Sequence, residues 1–114
     1  MENSGHSFIS YFKRATSSMV VLHFLRERPM YGYEIGNEMK LRSGGKYTLS
    51  ILYPILYRLE EQGYISMDQT AVSDGRARSY YRITADGLDY LEKTLVEYRD
   101  ISEIFAKLVG MEEK

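Results

Sequence analysis

The sequence predicts a mainly α-helical fold with a small β-hairpin and one long C-terminal helix. Three observations carry that expectation. Apolar residues recur at helical spacing in four separate segments, a single pair of strand-like segments flanks an Asp-Gly dipeptide, and the last periodic run outlasts what one small domain can cover. The 114 residues suffice for one domain, which buries roughly 65% of its unfolded surface on folding.

The first helix is expected over residues 8 to 27. Phe8, Phe12, Ala15, Met19 and Leu22 follow at spacings of 4, 3, 4 and 3, and Val21, Phe24 and Leu25 widen the buried stripe. Pro29 ends it, because the residue before a proline avoids helical geometry. A second helix is expected over residues 32 to 42, with Tyr31, Ile35 and Met39 along one side. Gly44 and Gly45 then permit the positive φ angles of a sharp turn.

A third helix is expected over residues 48 to 62, with Thr48 as N-cap and Leu49, Leu52, Leu56 and Leu59 as its buried stripe. Gly63 sits where a C-terminal glycine belongs. Pro54 falls inside this span, where a proline removes a hydrogen bond. Either the helix kinks there or its first turn is irregular. Residues 64–67 and 78–83 alternate as strands do, with Asp74-Gly75 as the turn of a hairpin between them. The last helix spans residues 84 to about 109. Thr84 caps it, and Leu88, Leu91, Leu95, Tyr98, Ile101, Phe105 and Leu108 form a near-heptad seam along roughly 39 Å. A core of three short helices cannot cover all of that seam, so its far half needs another partner.

Composition narrows the function classes. Without cysteine there is no disulfide, thiolate metal site or cysteine nucleophile. His6 and His23 are not expected to meet, Glu60-Glu61 is a helix-surface pair, and no glycine-rich phosphate loop precedes a helix. Neither catalysis, a metal nor a cofactor is expected. No apolar run reaches the ~20 residues a bilayer needs, and the N-terminus lacks a secretory pattern, so no membrane association and a cytoplasmic location are expected. Net charge is −1, but residues 1–83 hold 11 Lys and Arg against 8 Asp and Glu, while residues 84–114 hold 4 against 8. That segregation is compatible with a nucleic-acid face at one end.

The order helix, helix, glycine turn, helix, hairpin, helix is that of a winged helix-turn-helix, in which the helix after the turn enters the major groove of double-stranded DNA and the hairpin forms the wing. Residues 1–83 are expected to form this DNA-binding unit, with the N-terminal helix also contributing to a dimer. Residues 84–114 are expected to form the dimerisation helix. A wing carrying Arg76 and Arg78 favours DNA; the alternative is a protein-interaction module without direct DNA readout. Lys46, Tyr47, Thr48 and Ser50, at the start of the third helix, are candidate DNA contacts. So are Arg76, Arg78 and Tyr80 on the wing, where guanidinium groups suit phosphate or a narrow minor groove. Tyr53 either reaches a base or phosphate or packs inward, and Arg58 is either a DNA contact or a surface ion-pair partner. Leu91, Leu95, Tyr98, Ile101, Phe105 and Leu108 are the expected dimer seam, and two symmetric reading helices call for a pseudo-palindromic operator.

Two long motifs extend this reading. TLSILYPILYRLEEQGYI (residues 48–65) and GRARSYYRITADGLDYL (residues 75–91), preceded by Met30-Tyr31-Gly32-Tyr33-Glu34-Ile35, resemble the PadR family of transcriptional regulators over about residues 14–92. The resemblance implies a homodimeric repressor whose C-terminal helix makes most of the dimer contact, in the branch with a single such helix. In some members of that branch, flat aromatic compounds bind at the dimer centre against a large aromatic of this helix, typically tryptophan; the matching position here is Tyr98. Phe8 and Phe12, with Tyr98 and Phe105, are therefore the expected lining for a small aromatic effector, unless the four rings only close the dimer core.

Overall fold

The computed structural model describes residues 7–73 and 75–112, and only the backbone of residues 69–73, 76 and 77. The elements are α1 (Phe8–Glu27), β1 (Met30–Tyr31), α2 (Gly32–Arg42), α3 (Leu52–Glu61), β2 (Ile65–Ser73), β3 (Arg76–Ile83) and α4 (Ala85–Val109). This is a winged helix-turn-helix followed by a long helix.

The core draws on every element but β3, whose Tyr81 and Ile83 pack against it half-buried. Val21, Leu22, Phe24 and Leu25 of α1 meet Met30, Ile35 and Met39, the α3 side chains Leu52, Ile55, Leu56 and Leu59, and Ile65 and Leu91. The stripe expected for α1 is only partly core. Leu22 is buried, but Phe8, Phe12 and Ala15 are exposed, because the domain packs against the second half of α1 and its first half projects beyond. Ser7 caps this helix, its hydroxyl accepting from the Ser10 N–H at 3.1 Å.

Tyr31 is not helical. With Met30 it forms a two-residue strand, and the sheet order is β1-β3-β2, with Met30 opposite Tyr81 and Tyr31 opposite Tyr80. Tyr31 then enters α2, its backbone N–H donating to Glu34 Oε1 at 3.1 Å. The sequence pattern is silent on this strand because two residues carry no periodicity.

The third helix begins four residues later than expected. Its first backbone hydrogen bond runs from Ile55 N–H to Ile51 O, so Pro54 is the third helical residue. The first four N–H groups of a helix have no intrahelical acceptor, so a proline there costs no bond. Pro54 thus sets where the helix can start, and Thr48 is not its cap. The loop before it is tied down instead by Tyr47. Its N–H donates to Ser43 Oγ at 2.9 Å, and its phenol lies 2.6 Å from Thr16 Oγ1 of α1. The far end closes as expected. Gly63 has φ +81°, the Gly63 N–H donates to Glu60 O and the Tyr64 N–H to Leu59 O, each at 3.0 Å.

Both wing strands are longer than their alternation suggests. Ser73 pairs with Arg76 across a two-residue turn in which Gly75 has φ +74°; Asp74 lies outside the described residues. The register shifts between Asp68 and Ala71, which breaks the alternation expected of a regular strand.

The wing, α3 and α4 lock together at one point. The Thr84 hydroxyl donates to Gly63 O at 2.7 Å and accepts from the Gly87 N–H at 3.0 Å, while the Thr84 N–H donates to Tyr64 O at 3.1 Å. Tyr64 and Tyr90 stack with centroids 4.4 Å apart. Gly87 is buried, and a Cβ there would collide with the Tyr64 carbonyl, so only glycine lets α4 approach this closely. Beyond this anchor α4 leaves the domain. Leu95, Tyr98, Ile101, Phe105 and Leu108 are all exposed. Leu91 is the exception. At 0% exposure it is already enclosed by its own domain, so it has no surface to offer a second chain, and the free seam starts at Leu95. No helix among the described residues is long and apolar enough to cross a membrane.

Candidate nucleic-acid interface

The residues expected to meet DNA come from three places. The loop before α3 supplies Lys46, Thr48 and Ser50, all exposed. They precede the helix rather than forming its first turn, and Ile51, the residue at its N-cap position, offers no side-chain hydrogen bond. The start of α3 therefore carries no side-chain cap, and its first N–H groups lack intrahelical acceptors. Tyr47 differs from its neighbours. The Thr16 hydroxyl donates to Phe12 O at 2.8 Å, which leaves its oxygen to accept from the Tyr47 phenol. Burial pushes the Tyr47 phenol above its ordinary range. Its ring faces α1, so it holds the loop and is withdrawn from the DNA-contact set.

Tyr53 follows on the first turn of α3 and is exposed, its ring lying across Gly32 at the start of α2. A Cβ at Gly32 would meet the Tyr53 ring carbons at 2.6 Å. The glycine between Tyr31 and Tyr33 thus makes room for a side chain of the reading helix.

On the wing, the Arg78 guanidinium sits over the Tyr31 ring, 4.5 Å from its centroid. Tyr31 stacks in turn on Tyr33 at 6.5 Å and meets the edge of Tyr80 at 5.3 Å. A cation over an aromatic face is attracted by the ring quadrupole, and a planar guanidinium gains a fixed orientation there. Tyr80 therefore buttresses this stack from the neighbouring strand. Tyr31, Tyr33, Tyr53, Arg78 and Tyr81 together line a cleft of about 280 Å³ between the wing and the start of α3. Burial, followed by the charge of Glu60, raises the Tyr81 phenol above its usual range, so it is neutral at physiological pH. The Arg76 side chain lies outside the described residues. Tyr31 and Tyr33 are missing from the expected contact set, although the Tyr-Gly-Tyr segment marks them; what the sequence lacked was the two-residue strand that brings Tyr31 under Arg78.

A second, apolar feature lies between α1 and α4. Phe12, Met19, Val20, Phe24, Leu95 and Tyr98 line a groove of about 320 Å³, together with Thr16, His23 and Tyr47. Phe12 meets Tyr98 edge-on at 6.4 Å and Phe8 at 6.1 Å. Of the four rings expected to line an effector pocket, Phe12 and Tyr98 line this groove within one chain. Phe8 and Phe105 do not, since Phe8 sits one turn earlier and Phe105 two turns later on their helices, beyond the packed part of the domain. Among the described residues no group of three or more His, Asp or Glu side chains could hold a metal ion.

Comparison with known proteins agrees with this architecture. The family model of the transcriptional regulator PadR-like family matches residues 21–93. An uncharacterized protein of Lysinibacillus sphaericus is 36% identical over 87 residues, covering 75% of this chain and 80% of that protein. The transcriptional regulator Rv3488 of Mycobacterium tuberculosis is 32% identical over 99 residues, covering 87% and 88%. A transcriptional regulator from Clostridium thermocellum superposes with a TM-score of 0.79 at 29% identity, over 88% of this chain and 96% of that one. A PadR family transcriptional regulator from Eggerthella lenta also gives 0.79 at 29%, over 90% and 88%. With side chains of α3 and the wing lining one cleft, the chain belongs to the PadR-like family of DNA-binding transcriptional regulators, and is not an enzyme.

Proposed function

We propose that this regulator acts as a homodimeric repressor, which reads a pseudo-palindromic DNA site and is released when a small aromatic effector binds between α1 and α4. The observation that carries the reading is the uncovered half of α4. Ile101, Phe105 and Leu108 are 59%, 55% and 78% exposed, on a stripe continuous with Leu95 and Tyr98. Leaving such a row in water is unfavourable, and a second copy of the same helix supplies a matching row. Residues 84–114 then serve as the pairing segment, with the projecting start of α1 beside it. Pairing sets the spacing of the two reading helices, so half-sites about one helical turn, ~10 bp, or a multiple of it apart are expected.

The groove at Phe12 and Tyr98 lies beside that seam. A planar apolar ligand seated there acts on DNA affinity only if it binds one arrangement of the two domains more tightly than the other. Sedimentation velocity tests the dimer: a single dimeric species is expected at micromolar concentration, and a monomer overturns the reading. Titration of a planar aromatic dye tests the effector. Binding should weaken in Tyr98→Ala and compete with operator; binding indifferent to both leaves these rings as dimer core.

A further inference from the structure

A cleft of about 390 Å³ opens between α1 and the start of α3. Lys13 and Arg14 of α1 and Arg58 of α3 converge on it, with the hydroxyls of Ser10, Thr48 and Ser50, and no Asp or Glu lines it. Several cations elsewhere are matched: Arg42 with Glu27 and Glu38, Arg28 with Glu34, Arg82 with Asp68 and Arg99 with Asp100. Lys13, Arg14 and Arg58 make no ion pair among the described residues. Lys13 and Arg14 instead lie against ring faces, 5.9 Å from the Tyr47 centroid and 5.6 Å from the Tyr11 centroid. Those ring contacts hold the charges in place without neutralising them.

We propose that this cleft is a binding site for backbone phosphate of duplex DNA, contributed in part by α1. The inference rests on the DNA-binding reading and extends it to a helix otherwise given to core and dimer packing. Two features point to a phosphodiester chain rather than a protein carboxylate. The cleft adjoins Thr48 and Ser50, the residues beside the uncapped end of the reading helix, so a strand entering there runs past it. Its polar lining consists of cations and hydroxyls, the groups that most often meet phosphate oxygens. Such contacts fix register without reading sequence.

The test measures binding to a random-sequence duplex as a function of salt, for wild type and for Lys13→Gln, Arg14→Gln and Arg58→Gln, singly and together. Each lost contact should flatten the slope of log K against log salt by about 0.9. The triple variant should therefore lose roughly two to three units of slope, with the ranking of sequences unchanged. Lys13→Arg and Arg58→Lys keep the charge and should keep the slope; Lys93→Gln, on α4, is the control. If the triple variant is poorly folded, the single variants carry the test. Wild-type slope in the charge-removing variants, alongside a flattened slope in Arg78→Gln, overturns the cleft and leaves the DNA reading standing. Absence of any duplex binding by wild type at low salt overturns both. Sodium pyrophosphate separates the remaining source: if it raises the melting temperature of wild type but not of the triple variant, while the DNA slope is unmoved, the site takes a small free anion and the proposal fails.

Discussion

Two clusters of aromatic rings stand among opposite kinds of neighbour. On α1 and α4, Phe8, Phe12, Tyr98 and Phe105 stand among Leu95, Ile101 and Leu108, with a groove lined almost wholly by apolar atoms. Between the wing and α2, Tyr31, Tyr33, Tyr53 and Tyr80 stand around Arg78. Phe8, Phe12, Tyr98 and Phe105 are exposed, as are Tyr33 and Tyr53, while Tyr31 and Tyr80 are half-buried, so exposure alone does not assign a partner to either cluster. The neighbours do. Rings beside aliphatic side chains gain most by excluding water against another apolar surface. Rings under a guanidinium hold a cation in position and present hydroxyls to a polar partner. The first cluster is suited to a second copy of the chain, and the second to nucleic acid.

The comparison can be broken by making the apolar cluster polar. Ile101→Glu with Phe105→Glu should convert dimers to monomers, since burial of each such side chain contributes about 1.5–3 kcal/mol. The monomers should keep their helical content by circular dichroism and bind a single half-site with the salt slope of one protomer. Dimers that persist would assign pairing to another surface.

A smaller effect is expected at the junction both clusters depend on. Gly87→Ala must push α4 away from the Tyr64 carbonyl, at a cost of about 1–3 kcal/mol, read as a lowered melting temperature. An unchanged melting temperature would mean that the helix slides without loss.

At the polar cluster the changes should touch DNA and leave assembly alone. Arg78→Gln should flatten the salt slope by about 0.9 while the protein stays dimeric. Tyr31→Ala should reproduce much of that loss by freeing the guanidinium, and Tyr31→Phe, which keeps the ring face, should not. Equal effects of Ala and Phe would give the role to the Tyr31 hydroxyl instead. Gly32→Ala is subtler. Its methyl displaces only the far end of Tyr53, so stability should barely change while preference among base pairs shifts, as read by selection from a random DNA pool. A shift in stability without one in preference would make Tyr53 a packing residue.

How much of this could be read in the sequence follows the same division. Regular periodicity marked α1 and α2 to the residue, and α4 within one residue of its start. Pro54 showed that the expected start of α3 was in trouble, but the two readings it left, a kink or an irregular first turn, did not include the later start that the hydrogen bond from Ile55 to Ile51 marks. Tyr47 sat within a polar stretch and read as a DNA contact, because nothing local revealed Thr16 on a distant helix. Leu91 continued the seam perfectly, yet the fold encloses it. The Arg78–Tyr31 stack depends on a pairing between segments some fifty residues apart, which no local pattern encodes. Lys13 and Arg14 lay in the helix read for its apolar side, and only the packing of α1 beside α3 brings them to Arg58.

On the proposed function, one face of this chain joins copies and the other reads DNA. Footprinting on a duplex selected from a random pool tests both at once. Two equivalent protected half-sites, related by a two-fold axis and about one helical turn or a multiple of it apart, are the predicted result. A single unrepeated protected site, or no protection at low salt, would contradict it.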